Sequence, residues 1–510
     1  MLRTLKIALL SALSVMISVS VQGQAQGQTT ETKSLGAGPS VRLTLNEVIA
    51  QAQSQSISAL TAKYTFLSSY WQFRSFKASR LPSLNLTGDV MNFDRSLRLL
   101  QDYNTGDLRY MENYNLQNSL GLSIRQNIAF TGGTLNVYSS LNRIDQFGTT
   151  DTKSYYSQPI TLSYTQPLLA YNSFKWEKKT APKEFELAKR RYIESMERIT
   201  QSAVAYYFNL VLSRTRYDIA VKNYDNTKSL HAIAKQRMEL GTITKDELLQ
   251  LELRMLNDSL SINNNALSVR ENQMRLNSFL RLKENAQVIT VLDDEIPMVE
   301  VDYEQVLAKA LANSSFELSN EIEILNAEAD IARAKANRGA SASLNARFGL
   351  SQSGDDFKGA YSNLLDQEVV GLSFSIPIFD WGMGKGRVQM AKARADMTRS
   401  QIEQEEVDYR HELYTLIERF SNQRQQCAVA RRAKEIADDR YQIAMENFRQ
   451  GKISVTEMNT AQSEKDSANQ SYVSEMAAYW QAYYELRGKA LYDFITGTDI
   501  VAEFDKIIEQ

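Results

Sequence analysis

The stretch Leu162-Ser-Tyr-Thr-Gln-Pro167 recurs as Leu372-Ser-Phe-Ser-Ile-Pro377, and these two copies decide how the chain is organised. A second pair, Leu240-Gly-Thr-Ile-Thr244 and Gln450-Gly-Lys-Ile-Ser454, has the same spacing, since 377 − 167 and 451 − 241 both equal 210. A fixed offset between distant segments indicates an internal duplication, which defines the architecture before any local feature is considered.

The two copies differ in length near their beginnings. Leu43-Thr-Leu-Asn-Glu47 matches Val301-Asp-Tyr-Glu-Gln305, and Ala78-Ser-Arg80 matches Ala336-Asn-Arg338, both at an offset of 258. The first copy therefore carries about 48 extra residues (258 − 210) between Arg80 and Leu162. We expect these residues to form an additional hairpin.

Period-two alternation of apolar residues with small or polar ones predicts strands in both copies. The apolar members are Leu84, Leu86, Val90, Leu120, Leu122, Ile124, Ile128, Ile160, Leu162, Tyr164, Leu344, Ala346, Phe348, Leu350, Val370, Leu372, Phe374 and Ile376. This alternation is typical of membrane β-barrel strands. It is equally typical of an antiparallel sheet with one buried face, so the strands alone leave both interpretations open.

The extra hairpin is predicted within about residues 94–157. Its strands are expected near Asn118–Ala129 and Thr134–Ile144, on either side of a turn marked by Gly132 and Gly133. Polar stretches rich in Tyr, Asn, Asp and Gly are predicted as long loops, at residues 92–118, 145–158 and 351–367.

Two long segments predict helices. Residues 185–240 and 386–450 lack strong helix breakers and are rich in Ala, Glu, Lys, Arg, Gln and Leu. Pro182 is expected near the start of the first helix, where proline is tolerated. A helix of 65 residues is about 100 Å long. Leu253, Leu260, Leu267 and Met274 recur at seven-residue spacing, which indicates helix packing of the coiled-coil type.

The same turn is encoded after each long helix. Gly241 is followed by Thr244 and Glu247, and Gly451 by Ser454 and Glu457. Glycine adopts the left-handed conformation that ends many helices. Ser or Thr with Glu three residues later is a capping box, which opens the next helix. Each copy is therefore predicted to fold back as a helical hairpin with a tight tip.

The N-terminus and the composition indicate an exported protein and exclude several other classes. Residues 1–25 have a positive start, a short apolar run and small residues at the end, which predicts a secretory signal peptide. The chain has one cysteine, Cys427, and a formal net charge of −2, so there is no disulfide framework and no basic footprint for nucleic acid. No later apolar run is long enough for a membrane helix, so any membrane crossing would require a closed barrel.

These features predict a mainly α-helical, internally duplicated chain whose long coiled-coil helices adjoin the strands. A flexible segment at 26–42 precedes the first repeat, 43–290, whose tip turn is 241–247. A connector at 291–300 leads to the second repeat, 301–496, whose tip turn is 451–457. Residues 497–510 form a C-terminal tail.

In the order and duplication of these elements, the chain resembles the TolC family of outer-membrane efflux and secretion channels. The motifs that carry the resemblance are the helix opening Leu43–Glu47, the strand-to-helix junctions Gln166–Leu168 and Ile376–Gly382, and the two tips. Pro167, Pro377 and Gly382 mark those junctions. The resemblance spans about residues 43–494.

The resemblance implies a homotrimer in the outer membrane of a Gram-negative bacterium. Its strands would form one barrel in outer-membrane lipid, continuous with a helical tunnel across the periplasm. The tips would dock a periplasmic adaptor (membrane fusion) protein attached to an inner-membrane pump. Four strands per chain are too few to close a barrel. Three chains would supply twelve strands, or eighteen if the extra hairpin lies within the wall; the sequence leaves both open.

The resemblance also implies an acidic constriction at the tips. Glu247 and Glu457 occupy the acidic positions, and Asp246 adds charge beside the first. Both glutamates equally fit a purely capping role. Lys245 and Lys452 flank the tips and are candidates for pairing with a neighbouring chain. The chain departs from the family pattern at Ile453, where a basic latch residue is expected, and at Thr460, where a second acidic residue is expected.

Three classes of protein remain for comparison. The first is a passive outer-membrane exit duct; the second is a periplasmic coiled-coil adaptor or scaffold; the third is an exported enzyme. Catalysis has little support, because His231 and His411 are isolated on helices and residues 293–295 resemble a solvated acidic linker. Residues 382–386 lack the spacing of a phosphate loop. We predict no enzyme activity, no cofactor and no metal; the transported cargo and the class of pump are not encoded in any motif.

Overall fold

The structure is a computed structural model that describes residues 40–101, 106–148, 150–241, 243–292, 296–297 and 299–509. The predicted signal peptide, most of the 26–42 segment and the acidic residues 293–295 lie outside the described residues. Residues 40–42, assigned to that flexible segment, form part of a strand.

The helices are α1 (Leu45–Gln55), α2 (Ile57–Ala78), α3 (Ser173–Glu239), α4 (Lys245–Leu280), α5 (Tyr303–Asn313), α6 (Phe316–Ala336), α7 (Met383–Arg449), α8 (Val455–Ala490) and α9 (Phe504–Glu509). The strands are β1 (Ser40–Leu43), β2 (Ser83–Gln101), β3 (Leu108–Ile128), β4 (Gly133–Gln146), β5 (Thr152–Pro167), β6 (Gln287–Thr290), β7 (Ser341–Gly354), β8 (Leu365–Ser375), β9 (Tyr492–Asp493) and β10 (Thr498–Asp499). A 3₁₀ turn covers Gly359–Tyr361.

Six strands form one antiparallel sheet in the order β2-β3-β4-β5-β7-β8. Directly paired residues of antiparallel strands point to the same face. The pairs Leu84–Ile124, Ile124–Val137, Val137–Leu162 and Leu162–Phe348 therefore place apolar side chains on one face across five strands. Much of this face is exposed in the single chain, including Leu84 at 65% and Leu162 at 40%.

The predicted long loops are wrong over most of their length. Strand β2 continues to Gln101, and β3 already begins at Leu108, so residues 92–101 and 108–118 are paired strands. The loops predicted at 145–158 and 351–367 are also shorter than expected, because their first and last residues belong to the adjoining strands. Their Asn and Asp residues have low intrinsic strand propensity, but cross-strand pairing satisfies the backbone and overrides that preference.

The two long helices begin earlier than predicted. Helices α3 and α7 each span 67 residues, starting at Ser173 and Met383 rather than near 185 and 386. Pro182 is consequently the tenth residue of α3 and not close to its start. Its missing amide leaves the carbonyl of Lys178 without its helical partner, yet the helix continues without a break to Glu239.

Each long helix packs antiparallel against the helix that follows its tip, α3 against α4 and α7 against α8, and α3 also packs along α8. The main core lies midway along the long helices, where α1 packs on α3, α3 packs on α8 and α8 packs on α7. Its largest fully buried side chains include Tyr207, Phe208, Tyr479, Tyr483 and Phe420. Strands β1 and β6 pair in parallel beside this core and tie the start of the first repeat to its end. Among the described residues, no helix is long and apolar enough to span a membrane.

Candidate functional site

The two helical hairpin tips have the same backbone geometry. Gly241 and Gly451 both have positive φ, +69° and +73°, directly after the long helices end. Their amides donate to the carbonyls of Met238 and Phe448, each at 2.9 Å. The left-handed residue reverses the chain at the helix end, so the two repeats turn back by the same device.

Both predicted capping boxes at the tips form. Glu247 Oε2 accepts from the Thr244 amide at 2.9 Å, and the Glu247 amide donates to Thr244 Oγ1 at 3.2 Å. Glu457 and Ser454 repeat this arrangement at 2.8 and 3.2 Å. Each carboxylate is therefore a cap, held against its own helix start. A charged role at a pore would use the same carboxylates in addition to capping.

The tips of the two repeats pack together through a small apolar cluster, which we call the tip core. It consists of Leu230, Ala234 and Leu251 from the first repeat with Tyr441, Phe448, Val455 and Met458 from the second. Ile243 and Ile453 pack against it from the two turns. Ile453, the position where the family pattern suggests a basic latch, thus joins the apolar packing.

Arg237 links the two tips and was not identified from the sequence. Its guanidinium lies 5.8 Å from the ring centroid of Phe448. A Cβ added at Gly451 would lie 2.8 Å from Arg237 Nη2. The side chain of the first repeat therefore covers the glycine turn of the second. Only the tertiary arrangement brings these residues, more than 200 positions apart, into contact.

Gly451→Ala is expected to destabilise the second tip by about 1 kcal/mol, because alanine resists the left-handed conformation and its methyl group would displace Arg237. Gly386→Ala is the matched control, since Gly386 lies in helix α7 with open space around it, and alanine there is expected to be neutral or mildly stabilising. Hydrogen exchange of the tip amides measures the difference. Equal exchange in the two variants would contradict the assigned role of Gly451.

The remaining predicted tip residues lie at the surface. Lys245, Asp246 and Lys452 are exposed, and Asp246 accepts a hydrogen bond from Gln250 at 2.8 Å. Within the described part of the chain, no ion pair forms at either lysine. Both lysines are placed where a second copy of the chain or another protein can reach them.

A partly buried polar cluster lies about four helical turns away from the tips. Asn223 donates to Asp466 at 2.5 Å and accepts from Gln462 at 2.7 Å, which joins α3 to α8. Thr227 donates to Asp258 at 2.8 Å, which joins α3 to α4. Burial raises the pKa of Asp466, although the hydrogen bond from Asn223 opposes this shift. The sequence offered only polar residues within long helices, with no signal that they meet.

A second buried charged group lies in the main core, near the end of α8. Arg487 is 3.3 Å from Glu197 and 3.7 Å from Asp493. Tyr483 donates to Asp493 at 2.6 Å. Burial raises the pKa of Glu197, and the nearby Arg487 counteracts the shift. This group ties α3 to the end of α8 and to β9.

The strand-to-helix junctions are built from the residues predicted to mark them. Pro167 is the last residue of β5, and Pro377 follows β8 by two positions. Gly382 has a φ of +83° before α7, and Asp380 accepts from the amides of Gly382 and Gly384 at 2.9 and 2.8 Å. Proline lacks the amide that a strand ladder uses, and both prolines lie where the sheet gives way to the helices, although the Leu168 amide still donates to the Ala342 carbonyl at 2.8 Å.

Asn172 gives the first junction a further connection. Its side-chain oxygen accepts from the Lys175 amide at 3.1 Å, and its nitrogen donates to the Ala129 carbonyl at 3.1 Å. The start of α3 is thereby tied to the turn between β3 and β4, so the inserted hairpin is anchored to the helical part.

The part of the chain that the structure describes contains neither a cluster of metal-binding side chains nor a reactive cysteine. No three side chains of His, Cys, Asp or Glu come together there as a metal site would require. Cys427 is buried, and burial raises its pKa to about 11, so the thiol stays protonated and unreactive near neutral pH.

Comparisons with known proteins agree with this arrangement. Residues 309–489 match the family model of the outer membrane efflux proteins. The CmeC outer membrane channel of Campylobacter jejuni is 15% identical with a TM-score of 0.64, covering 91% of this chain and 88% of CmeC. A comparison with curated protein sequences finds no significant match.

Two further solved structures share the fold. The outer membrane protein VceC of Vibrio cholerae is 13% identical with a TM-score of 0.61, covering 89% of this chain and 96% of VceC. The open state of the Neisseria gonorrhoeae MtrE outer membrane channel is 13% identical with a TM-score of 0.59, covering 90% and 89%. The resemblance to TolC-like channels, inferred from the motifs, is confirmed, and so is the fold class.

Proposed function

We propose that this chain is the outer-membrane channel, the exit duct, of a tripartite efflux or type I secretion system. It passively conducts cargo delivered by an inner-membrane pump across the periplasm and the outer membrane. The observation that carries this function is the exposed apolar face of the six-stranded sheet, joined directly to two helices that are each about 100 Å long.

The sheet has the two faces that a membrane wall needs. Its apolar face includes Leu86, Leu122 and Leu372, and its other face presents small or polar residues such as Ser123 and Thr161. At the helix end of the sheet, several exposed large side chains form a border: Phe130, Leu169, Ile378, Phe379 and Trp381. Outer-membrane barrels carry such aromatic borders at the level of the lipid headgroups.

The described residues of a single chain leave one edge of β2 and one edge of β8 open, and open edges do not face lipid. The open edges favour a homotrimer, because three copies of the sheet, joined edge to edge, would form one closed barrel wall. The exposed tips, with Lys245, Asp246 and Lys452 at the surface, provide the surface for a periplasmic adaptor protein bound to the pump.

The alternative function, a periplasmic adaptor or scaffold, does not account for the exposed apolar face of this sheet. Outside a membrane, its apolar face would be an exposed patch far larger than monomeric soluble proteins tolerate. Fractionation distinguishes the two functions. We expect the full-length protein to stay with outer-membrane vesicles after a high-salt wash, whereas release into the soluble fraction would overturn the exit-duct proposal.

The tip glutamates allow charge and capping to be separated. Glu247→Gln combined with Glu457→Gln removes two charges per chain, while glutamine still fits a capping box. Because carboxylate rings favour cations, we expect a lower cation-to-anion permeability ratio in planar-bilayer recordings and little change in thermal stability. The matching double variant with alanine at both positions is expected to lower both the permeability ratio and the thermal stability.

The two outcomes assign the role of the carboxylates. Unchanged ion selectivity in the double glutamine variant would leave capping as the only function of Glu247 and Glu457. A lowered permeability ratio with an unchanged melting temperature would place both carboxylates along the conduction path.

A further inference from the structure

We propose that the assembled membrane wall contains eighteen strands, six from each chain, because the inserted hairpin β3–β4 is part of the wall. This inference rests on the trimeric channel proposed above and specifies its outlet. A chain without the insertion would contribute four strands, and three such chains would make a wall of twelve.

The pairing places the hairpin within the sheet. Strand β3 pairs with β2 from Ser83 to Gln101, and β4 pairs with β5 from Thr134 to Gln146. Strands β2 and β5 are therefore separated by the two inserted strands. A hairpin lying outside the wall would instead leave β2 and β5 as direct neighbours.

The inserted strands also carry the two-faced pattern of their neighbours. One row of directly paired residues crosses all six strands on the polar face, and it contains Asn85, Ser123, Tyr138, Thr161, Gly349 and Gln367. The adjacent row on the other face contains Ile124 and Val137, which lie between Leu84 and Leu162. The hairpin is thus apolar where its neighbours are apolar and polar where they are polar, as a wall segment must be.

The two free edges of the sheet can pair with those of neighbouring copies around a threefold axis. Of the six strands, β2 and β8 each have one edge that pairs with no other strand among the residues that the structure describes. Strand direction alternates along the sheet, so β8 runs opposite to β2. A copy related by threefold rotation can therefore pair its β2 with β8 of its neighbour as another antiparallel pair. All strand edges would then be satisfied, as a lipid-facing sheet requires.

The added strands widen the outlet. For strands 4.8 Å apart and tilted by about 40°, eighteen strands give roughly 36 Å between opposite backbones, against roughly 24 Å for twelve. The polar face carries small residues that include Gly121, Ser140, Ser163, Gly349 and Gly371, interspersed with the larger Arg125, Tyr138 and Arg347. An outlet of this width suits bulky cargo such as polypeptides.

Spin-label distances between the three copies test the strand number. A label at Leu372→Cys on β8, which is 61% exposed, is placed in a Cys427→Ser background and reconstituted in lipid vesicles. Threefold-related backbone positions are separated by √3 times the radius, so roughly 31 Å is expected for eighteen strands and 21 Å for twelve, each increased by the length of the labels. Leu86→Cys on β2, 70% exposed, provides an independent second position.

A variant lacking residues 107–151 supplies the matched control, because it removes β3 and β4 and keeps β2 and β5. We expect its label distance to shorten by about one third relative to the full-length chain, in proportion to strand number. A full-length distance that fits twelve strands at both label positions would overturn the eighteen-strand proposal and leave the channel function standing. Absence of dipolar coupling in membrane-inserted protein would overturn the trimer, and with it both proposals.

Discussion

Replacing Leu122 with arginine is expected to prevent most chains from reaching a folded, membrane-inserted state. Leu122 lies in β3, opposite Leu86 of β2, on the exposed apolar face. Arginine on the lipid face near the bilayer centre costs about 2–4 kcal/mol, and a trimer would incur this cost three times. The measurement is the yield of folded protein in the outer-membrane fraction, together with its urea midpoint in lipid vesicles.

The neighbouring substitution Ser123→Arg is the matched control. Ser123 is the next residue of the same strand, so its side chain points to the opposite face, where it pairs with Asn85 and Tyr138. In the lumen, arginine stays hydrated, and we expect folding close to that of the native chain with altered ion conduction. Equal loss of folded protein in both variants would contradict the assignment of the two faces in the inserted hairpin.

The second large effect is expected at the buried charged group of the main core. Arg487→Met removes the partner of Glu197, whose side chain is 2% exposed. Breaking a buried ion pair by removing one member costs about 3–5 kcal/mol, because the other charge is left uncompensated. We expect a clear drop in the melting temperature of the helical circular dichroism signal.

The double variant Arg487→Met with Glu197→Gln separates loss of charge pairing from loss of packing. Replacing both members removes the buried Glu197 charge. Asp493 also loses Arg487 but keeps the hydrogen bond from Tyr483, so we expect the double variant to recover part of the stability lost in Arg487→Met. If the double variant is as unstable as the sum of the two single variants, the ion pair is not the cause.

The same glutamate gives the chain a defined pH dependence. The pKa of Glu197 is raised above its ordinary value of 4.5 in the folded chain. The folded state therefore holds this proton more tightly than the unfolded chain, and this contribution to stability is lost as pH rises from 4.5 through the folded pKa. Asp466, whose pKa burial also raises, acts in the same direction. Glu197→Gln is expected to flatten the decline, measured as melting temperature against pH above 4.5.

Local motifs predicted the tips and the junctions well. Gly241, Gly451 and their capping boxes depend on residues within a few positions of one another, so their geometry can be read from short segments. The strand lengths were underestimated, because the polar residues of 92–101 and the Tyr- and Asn-rich residues of 108–118 resemble a loop when each segment is considered alone. Their pairing partners determine their structure, and a partner is not visible in a strand's own composition.

The sequence by itself determined the duplication, the order of elements, the two-faced strands and the turns of the helical hairpins. These properties follow from repeat spacing, side-chain periodicity and glycine conformation, all of which are local or directly comparable along the chain. Only the tertiary structure decided that β3 and β4 lie inside the sheet, that Arg237 covers the turn at Gly451, and that Glu197 meets Arg487. Those contacts join residues far apart in the chain, and their energies depend on burial and neighbours that exist only after the elements have packed together.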